Sequence, residues 1–215
     1  MSLEYDNLIN SLIKDGYLKT PEIIETFKQI DRADFVPEKY KLEAYVNAPL
    51  PIDFGQTISQ PLTVAFMLEL LEPRPAEKIL DVGFGSGWTT ALLAKIVGEQ
   101  GKVVAIERIS ELYEFGANNI AKYNFIEKGI VKTINADGTK GYKKEAPFDK
   151  ILAGAAAYGD IPLIWKRQLK IGGRIVAPVE NSVVVVDKVA KNKYTKKEYF
   201  GFSFVPLIEG HKQKP

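Results

Sequence analysis

Residues 79–87, Ile-Leu-Asp-Val-Gly-Phe-Gly-Ser-Gly, run an apolar strand pattern into glycines at 83, 85 and 87, with Asp81 two residues before the first. Glycines at a strand end let the backbone turn tightly and approach a ligand beneath a helix N-terminus. That is the chemistry of a nucleotide crevice in a doubly wound sheet. The spacing argues against a dinucleotide, whose G-x-G-x-x-G fingerprint would need glycine at position 88, where this chain has Trp. Glu107 ends the next strand pattern, 20 residues after Gly87, where a carboxylate could accept both hydroxyls of a ribose. Arg108 adjoins it, and Asp137-Gly138 ends the third strand pattern, where the pair could flank a base. The competing reading of the loop is a tight turn with a solvated acid. The strand context and the two acids weigh against it.

Several chemistries are excluded by composition. The chain has no cysteine and one histidine, His211, in 215 residues. Cysteine nucleophiles, disulfides, thiolate metal sites and multi-histidine metal centres are therefore ruled out, and no metal site is expected. A net charge of +2, from 29 Lys+Arg against 27 Asp+Glu, argues against an electrostatically driven nucleic-acid binder. No apolar run approaches a membrane span, and the N-terminus lacks a signal-peptide pattern. The expected setting is cytoplasmic.

The elements that must position these residues alternate. Residues 1–45 read as short helices, with Leu8, Leu12 and Ile13 on one face and Ile23, Ile24, Phe27 and Ile30 on another. Thr20 before Pro21 is a candidate N-cap. Residues 46–58 read as a loop, and Ser59 opens a helix through Leu71. Strands are expected at 78–82, 103–107, 130–135, 150–155 and 174–179, and helices at 87–97, 110–123 and 162–169, the last ended by Gly172-Gly173. Repeated units of this kind imply a parallel sheet with helices on both faces. Runs 183–189 and 199–207, around the polar turn Lys191–Lys197, read as a closing antiparallel hairpin. That turn reads as solvated rather than as a binding patch, and Tyr199, Phe202 and Phe204 as core. His211 reads as an exposed tail residue. Trp88 packs the helix start or stacks near a ligand, with packing favoured.

With Asp81 ahead of it, the glycine loop resembles the S-adenosylmethionine loop of class I methyltransferases. Within that class the acceptor can be narrowed. Pyrimidine C5 methylation generally needs a cysteine. The Asn/Asp-Pro-Pro-Tyr/Phe motif for exocyclic amines is absent, its place taken by Ala153-Gly154-Ala155-Ala156-Ala157. A carboxylate acceptor is already a nucleophile at pH 7 and needs alignment and exclusion of water more than a base.

The chain also resembles, over nearly its whole length, the protein-L-isoaspartate O-methyltransferase family. The resemblance rests on Arg32-Ala33-Asp34-Phe35-Val36-Pro37, on Gly55-Gln56-Thr57-Ile58-Ser59-Gln60-Pro61 and on the loop 81–87. Ala146-Pro147-Phe148-Asp149 with Ala155-Ala156-Ala157, residues 172–179 and Phe204-Val205-Pro206-Leu207 extend it. The resemblance implies an α/β fold, a doubly wound, mostly parallel Rossmann-like sheet with a C-terminal antiparallel hairpin and an N-terminal helical cap. It implies a cap with signature loop over 1–58 and a cofactor-binding core over 59–215. It implies S-adenosylmethionine as cofactor, S-adenosylhomocysteine as product, and methyl transfer to the α-carboxylate of L-isoaspartyl residues, with repair through a succinimide. Isoaspartyl proteins and peptides would be the partners, with neither nucleic acid nor membrane, and the chain a monomer.

By the same resemblance Ser59 is the catalytic position. Thr57, Ile58, Gln60, Asp81, Gly83, Gly85, Gly87, Glu107, Arg108, Asp137 and Gly138 are the cofactor set. From the residues alone Ser59 is also a helix N-cap, and the two roles are compatible. The loop Tyr158-Gly159-Asp160 is one residue longer than the family pattern and raises the question of peptide preference. Two other readings stay open: a carboxyl methyltransferase for ordinary aspartate in a dedicated peptide, and a catalytically silent cofactor-binding interaction protein.

Overall fold

The computed structural model describes residues 2–210, so His211 lies outside the described residues. Helices α1 (Leu3–Lys14) and α2 (Pro21–Gln29) come first, followed by 3-10 turns at Arg32–Phe35 and Glu38–Glu43. A short hairpin, β1 (Leu50–Pro51) and β2 (Thr57–Ile58), leads into α3 (Pro61–Leu71). Then β3 (Lys78–Val82), α4 (Trp88–Val97), β4 (Lys102–Glu107), α5 (Ser110–Ala121) and β5 (Val131–Asn135) alternate. The remainder is β6 (Phe148–Ala153), α6 (Leu163–Gln168), β7 (Leu169–Val179), β8 (Ser182–Ala190) and β9 (Lys193–Phe200).

Seven strands form one sheet in the order β5-β4-β3-β6-β7-β8-β9. The pairs from β5 to β7 are parallel, and β8 and β9 add antiparallel. This is the expected doubly wound α/β sheet with an antiparallel end. Strands β3 and β4 are buried on both faces, which is why they read as continuous apolar runs. The chain leaves β3 toward β4 and β5, then returns to β3's other side with β6. That reversal opens a crevice at the carboxyl ends of β3 and β6. No helix among the described residues is long and apolar enough to cross a membrane.

The N-terminal helices share one core with the sheet. Phe27 of α2 meets the Trp88 ring edge-on at 5.5 Å, and both are buried. Trp88 thus packs, as favoured above. In α1 the buried stripe is Tyr5, Leu8, Ile9 and Leu12, while Ile13 points outward. The Thr20 side chain does not cap α2. Its hydroxyl donates instead to Glu69 Oε2 at 2.7 Å, tying α2 to α3.

Three expectations are corrected. The residues 46–58 contain the β1–β2 hairpin, whose tip turns through left-handed Asp53, Phe54 and Gly55. Gly172 and Gly173 do not end a helix but lie within β7, at a bulge where Phe148↔Leu169 gives way to Lys150↔Arg174. A Cβ at Gly173 would meet the Asp149 carbonyl at 2.7 Å, so the close strand approach needs glycine there. Finally, the turn before the last strand is only Lys191-Asn192, and β9 is 193–200 rather than 199–207. This edge strand is polar on both faces and gives no alternation to read, and its lysines suit an exposed edge.

Candidate active site

The crevice at the β3/β6 reversal is walled by the glycine loop, by the ends of β3, β4 and β6, and by the β1–β2 hairpin. Asp81 leaves β3 almost fully buried, and its Oδ2 accepts the Thr90 hydroxyl at 2.6 Å. Burial pushes its pKa up to about 6, the Thr90 bond opposes this and the Glu107 charge adds to it. Glu107 closes β4, also buried. Its Oε2 accepts the Gly85 N–H at 3.1 Å and its Oε1 the Ile109 N–H at 2.9 Å. Burial raises its pKa and those N–H bonds oppose the rise. Each anchored oxygen keeps a lone pair for a hydroxyl donor.

Gly83, Gly85 and Gly87 all take positive φ, so their left-handed turn is available at no steric cost only to glycine. Gly87 sits at the N-cap of α4, away from the crevice surface, and a Cβ there would meet the Gly116 carbonyl at 2.7 Å. Its role is the docking of the loop on α5.

Ser59 lies between β2 and α3. Gln60 occupies the N-cap position, and the cap hydrogen bond comes from elsewhere: Asn47 Oδ1 accepts the Leu62 N–H at 3.0 Å. Ser59 is therefore not the cap. It stands on the wall between the crevice and an adjoining hollow that holds Pro49, Gln60, Thr63 and Ser203. Thr57, Gly154, Phe204 and Val205 share that wall.

Of the expected set, the crevice brings together Thr57, Ile58, Ser59, Asp81, Gly83, Gly85, Glu107, Arg108 and Gly138. Gln60 faces the adjoining hollow and donates to the Asn47 carbonyl at 2.9 Å. Asp137 does not line the crevice. One of its oxygens accepts from Thr139 and the other from the Gly210 N–H, so it fastens the C-terminal segment. Tyr158, Gly159 and Asp160 line neither hollow.

Sequence reasoning missed the roof. Residues 204–208 line the crevice as an extended segment, held at Ala156, whose N–H donates to the Val205 carbonyl and whose carbonyl accepts the Leu207 N–H at 2.7 Å. Phe204, read as core, has two sides: it contacts Phe202 at 6.4 Å and also lines both hollows. The close approach at Gly154 carries no signal of its own in the sequence. A Cβ there would meet the Gly83 carbonyl at 2.9 Å, so the loop presses on β6.

The donor set fits an S-adenosyl ligand: a buried anchored carboxylate for a diol, glycine backbone and Asp81 for a charged tail, and apolar Val82, Ile106 and Leu112 for a base.

Comparison with known proteins agrees. The family model for protein-L-isoaspartate(D-aspartate) O-methyltransferase matches residues 3–212. A protein-L-isoaspartate O-methyltransferase of Methanopyrus kandleri is 42% identical, covering 94% of this chain and 90% of the relative. Protein-L-isoaspartate O-methyltransferase 2 of Archaeoglobus fulgidus is 48% identical over 86% of this chain and 84% of its own length. A Plasmodium falciparum crystal structure assigned to the same activity, in complex with S-adenosyl-L-homocysteine, superposes with a TM-score of 0.84 at 26% identity, covering 96% of this chain and 99% of that one.

Proposed function

The chain belongs to the protein-L-isoaspartate(D-aspartate) O-methyltransferase family, and from that membership we propose how its own residues divide the work. The protein is an S-adenosylmethionine-dependent enzyme. It methylates the α-carboxylate of L-isoaspartyl residues in damaged proteins and peptides and so starts their repair through a succinimide.

When bound, S-adenosylmethionine supplies a methyl group on a positively charged sulfur. Glu107 holds the ribose hydroxyls, and its own ties to Gly85 and Ile109 fix it before the ligand arrives. Gly83 and Gly85 let the main chain approach the amino-acid tail, and Asp81 sets a negative charge beside it. Thr57, Ile58, Arg108 and Gly138 complete the walls. The roof of residues 204–208 excludes water, which strengthens each of these electrostatic contacts.

The acceptor carboxylate is ionised at neutral pH and needs no base. Ser59 donates one hydrogen bond that orients it, and Gln60, Thr63 and Ser203 border the hollow through which the peptide reaches Ser59. Ser59 acts as a hydrogen-bond donor, not a nucleophile. The observation that carries this reading is the position of Ser59 on the one wall common to both hollows. We assign residues 1–58 to a helical cap with the signature loop and residues 59–215 to the cofactor-binding core. We also place the enzyme in the cytoplasm as a monomer that binds no nucleic acid, in keeping with its +2 charge.

The experiment is methyl transfer from labelled S-adenosylmethionine to two synthetic peptides that differ only in isoaspartate or aspartate at one position. Transfer to the isoaspartyl peptide alone is expected. Preference for the ordinary aspartate would point to a dedicated peptide target. Cofactor binding with transfer to neither would mean a silent site.

A further inference from the structure

Arg32 lies outside both hollows and is fully buried, at 0% exposed. A buried charge normally finds a carboxylate, but here the two terminal nitrogens donate to main-chain carbonyls and the buried Nε has no partner. Nη1 donates to Ala44 and, at 3.4 Å, to Val46. Nη2 donates to Ala48 at 3.0 Å and to Ser59 at 3.2 Å. Its central carbon lies 5.5 Å from the centroid of the Trp88 ring, the first residue of α4 after Gly87.

All four contacts answer a folding need, since Ala44, Val46, Ala48 and Ser59 lie outside any α-helix or strand and their carbonyls need donors. The contact to Ser59 does more. It holds the backbone of the residue whose hydroxyl meets the acceptor, while the other side of the same planar group rests on the start of the helix that follows the cofactor loop. One rigid fork therefore spans the acceptor side and the cofactor side of the site.

We propose that Arg32 is a positioning residue for methyl transfer, holding the Ser59 main chain at a fixed distance from the start of α4. The proposal rests on the reading of Ser59 given above. Arginine suits this work because its donors are fixed in one plane, whereas a lysine ammonium carries a compact charge on a flexible stem and cannot serve four carbonyls in that arrangement. Small displacements suffice: misplacement by about 1 Å can cost roughly 100-fold in rate.

The test is a double-mutant cycle of Arg32→Lys and Ser59→Ala, with kcat on an isoaspartyl peptide and S-adenosylhomocysteine affinity measured for each protein. Arg32→Lys should lower kcat by roughly 10- to 100-fold while product affinity stays within about twofold. In the Ser59→Ala background the same substitution should cost no more than about twofold, because the group it positions is gone. An equal loss in both backgrounds would assign Arg32 a general folding role and overturn the proposal, as would an unchanged kcat. If Ser59→Ala alone turned over normally, the reading of Ser59 would fall, and the proposal with it, so the two failures are distinguishable. Should Arg32→Lys fail to bind product, Arg32→Gln, which buries no charge, takes its place in the same cycle with the same outcomes.

Discussion

Asp137 Oδ2 accepts the main-chain N–H of Gly210 at 2.9 Å, joining groups 73 residues apart. Arg108 Nε donates to the carbonyl of the same Gly210 at 2.9 Å. Gly210 is thus held at both of its peptide groups, two residues beyond the roof of the crevice, residues 204–208, which Ala156 anchors at Val205 and Leu207. Burial acts to raise the Asp137 pKa, but the Thr139 and Gly210 bonds and Lys140 outweigh it and leave it below the usual value. A depressed carboxylate contributes stability above its unfolded pKa and loses it only as pH falls through the folded one. The clasp should therefore stay closed across the neutral range. Asp137→Ala should weaken S-adenosylhomocysteine binding by about tenfold, mainly through faster dissociation, as expected for loss of a hydrogen bond to a charged group. Stopped-flow release of product measures this. An unchanged release rate would mean that the roof holds without the clasp.

Asp81 has the opposite sign. Its folded pKa of about 6 lies above the unfolded value of 3.8, chiefly because it is buried. The folded state then binds the extra proton, so stability is present below the unfolded pKa and is lost as pH rises through about 6. Asp81→Asn should raise the melting temperature of the ligand-free protein above pH 6, yet weaken S-adenosylmethionine binding, because the charge beside the ammonium of the amino-acid tail is removed. In the unmutated enzyme, cofactor affinity should rise with pH through about 6 as Asp81 ionises. Calorimetry at several pH values, with thermal melts of both proteins, checks all three. A variant that lost stability and kept its affinity would exclude Asp81 from the cofactor site.

Glu107 does two things at once, and Glu107→Gln separates them poorly by design. An amide keeps one carbonyl oxygen, so either the Gly85 or the Ile109 N–H loses its acceptor. The hydrogen bonds to charge that are lost are worth about 1.5–3 kcal/mol. The KM for S-adenosylmethionine should therefore rise roughly 10- to 100-fold while kcat at saturation changes little, because Glu107 touches no reacting atom. A loss confined to kcat would place Glu107 in the chemical step instead.

How much of this is legible in the residues depends on the range of the contacts. The glycine loop, Asp81 and Glu107 are local to strand ends, and β3 and β4 announce themselves as continuous apolar runs because both faces are covered. Asp137 follows β5 by two residues, and its place in the chain suggests a contact with a base. Its actual partner, Gly210, is set by the path of the C-terminal segment, which no local pattern encodes. Ser59 ahead of Pro61 reads as a cap, but the cap hydrogen bond is made by Asn47, from a loop 15 residues before Leu62. The position of β9 is hard to read because the apolar residues at 202–207 draw attention away from an edge strand with neither face fully buried.

Gly116 shows the same limit and gives the last prediction. In the sequence it is a glycine in the middle of a helix, where alanine would ordinarily gain about 1 kcal/mol from propensity. In the fold it is buried in α5 directly under the cofactor loop. A Cβ at Gly116 would strike the Gly85 carbonyl and approach the Phe84 ring carbons Cε2 and Cδ2 at 2.7 and 2.8 Å. Phe84 is buried and the Gly85 peptide is tied to Glu107 through its N–H, so neither can move aside without disturbing the other. Overpacking of this kind costs about 1–3 kcal/mol, enough to cancel or outweigh the propensity gain. Gly116→Ala should therefore lower the melting temperature, or at best leave it level, and weaken S-adenosylhomocysteine binding, because lifting α5 away shifts the loop that carries Gly85. Thermal melts with and without product separate the two effects: the stabilisation conferred by product should shrink in the variant. A variant that melted higher than the parent and was stabilised equally by product would show that the loop does not depend on its seat on α5.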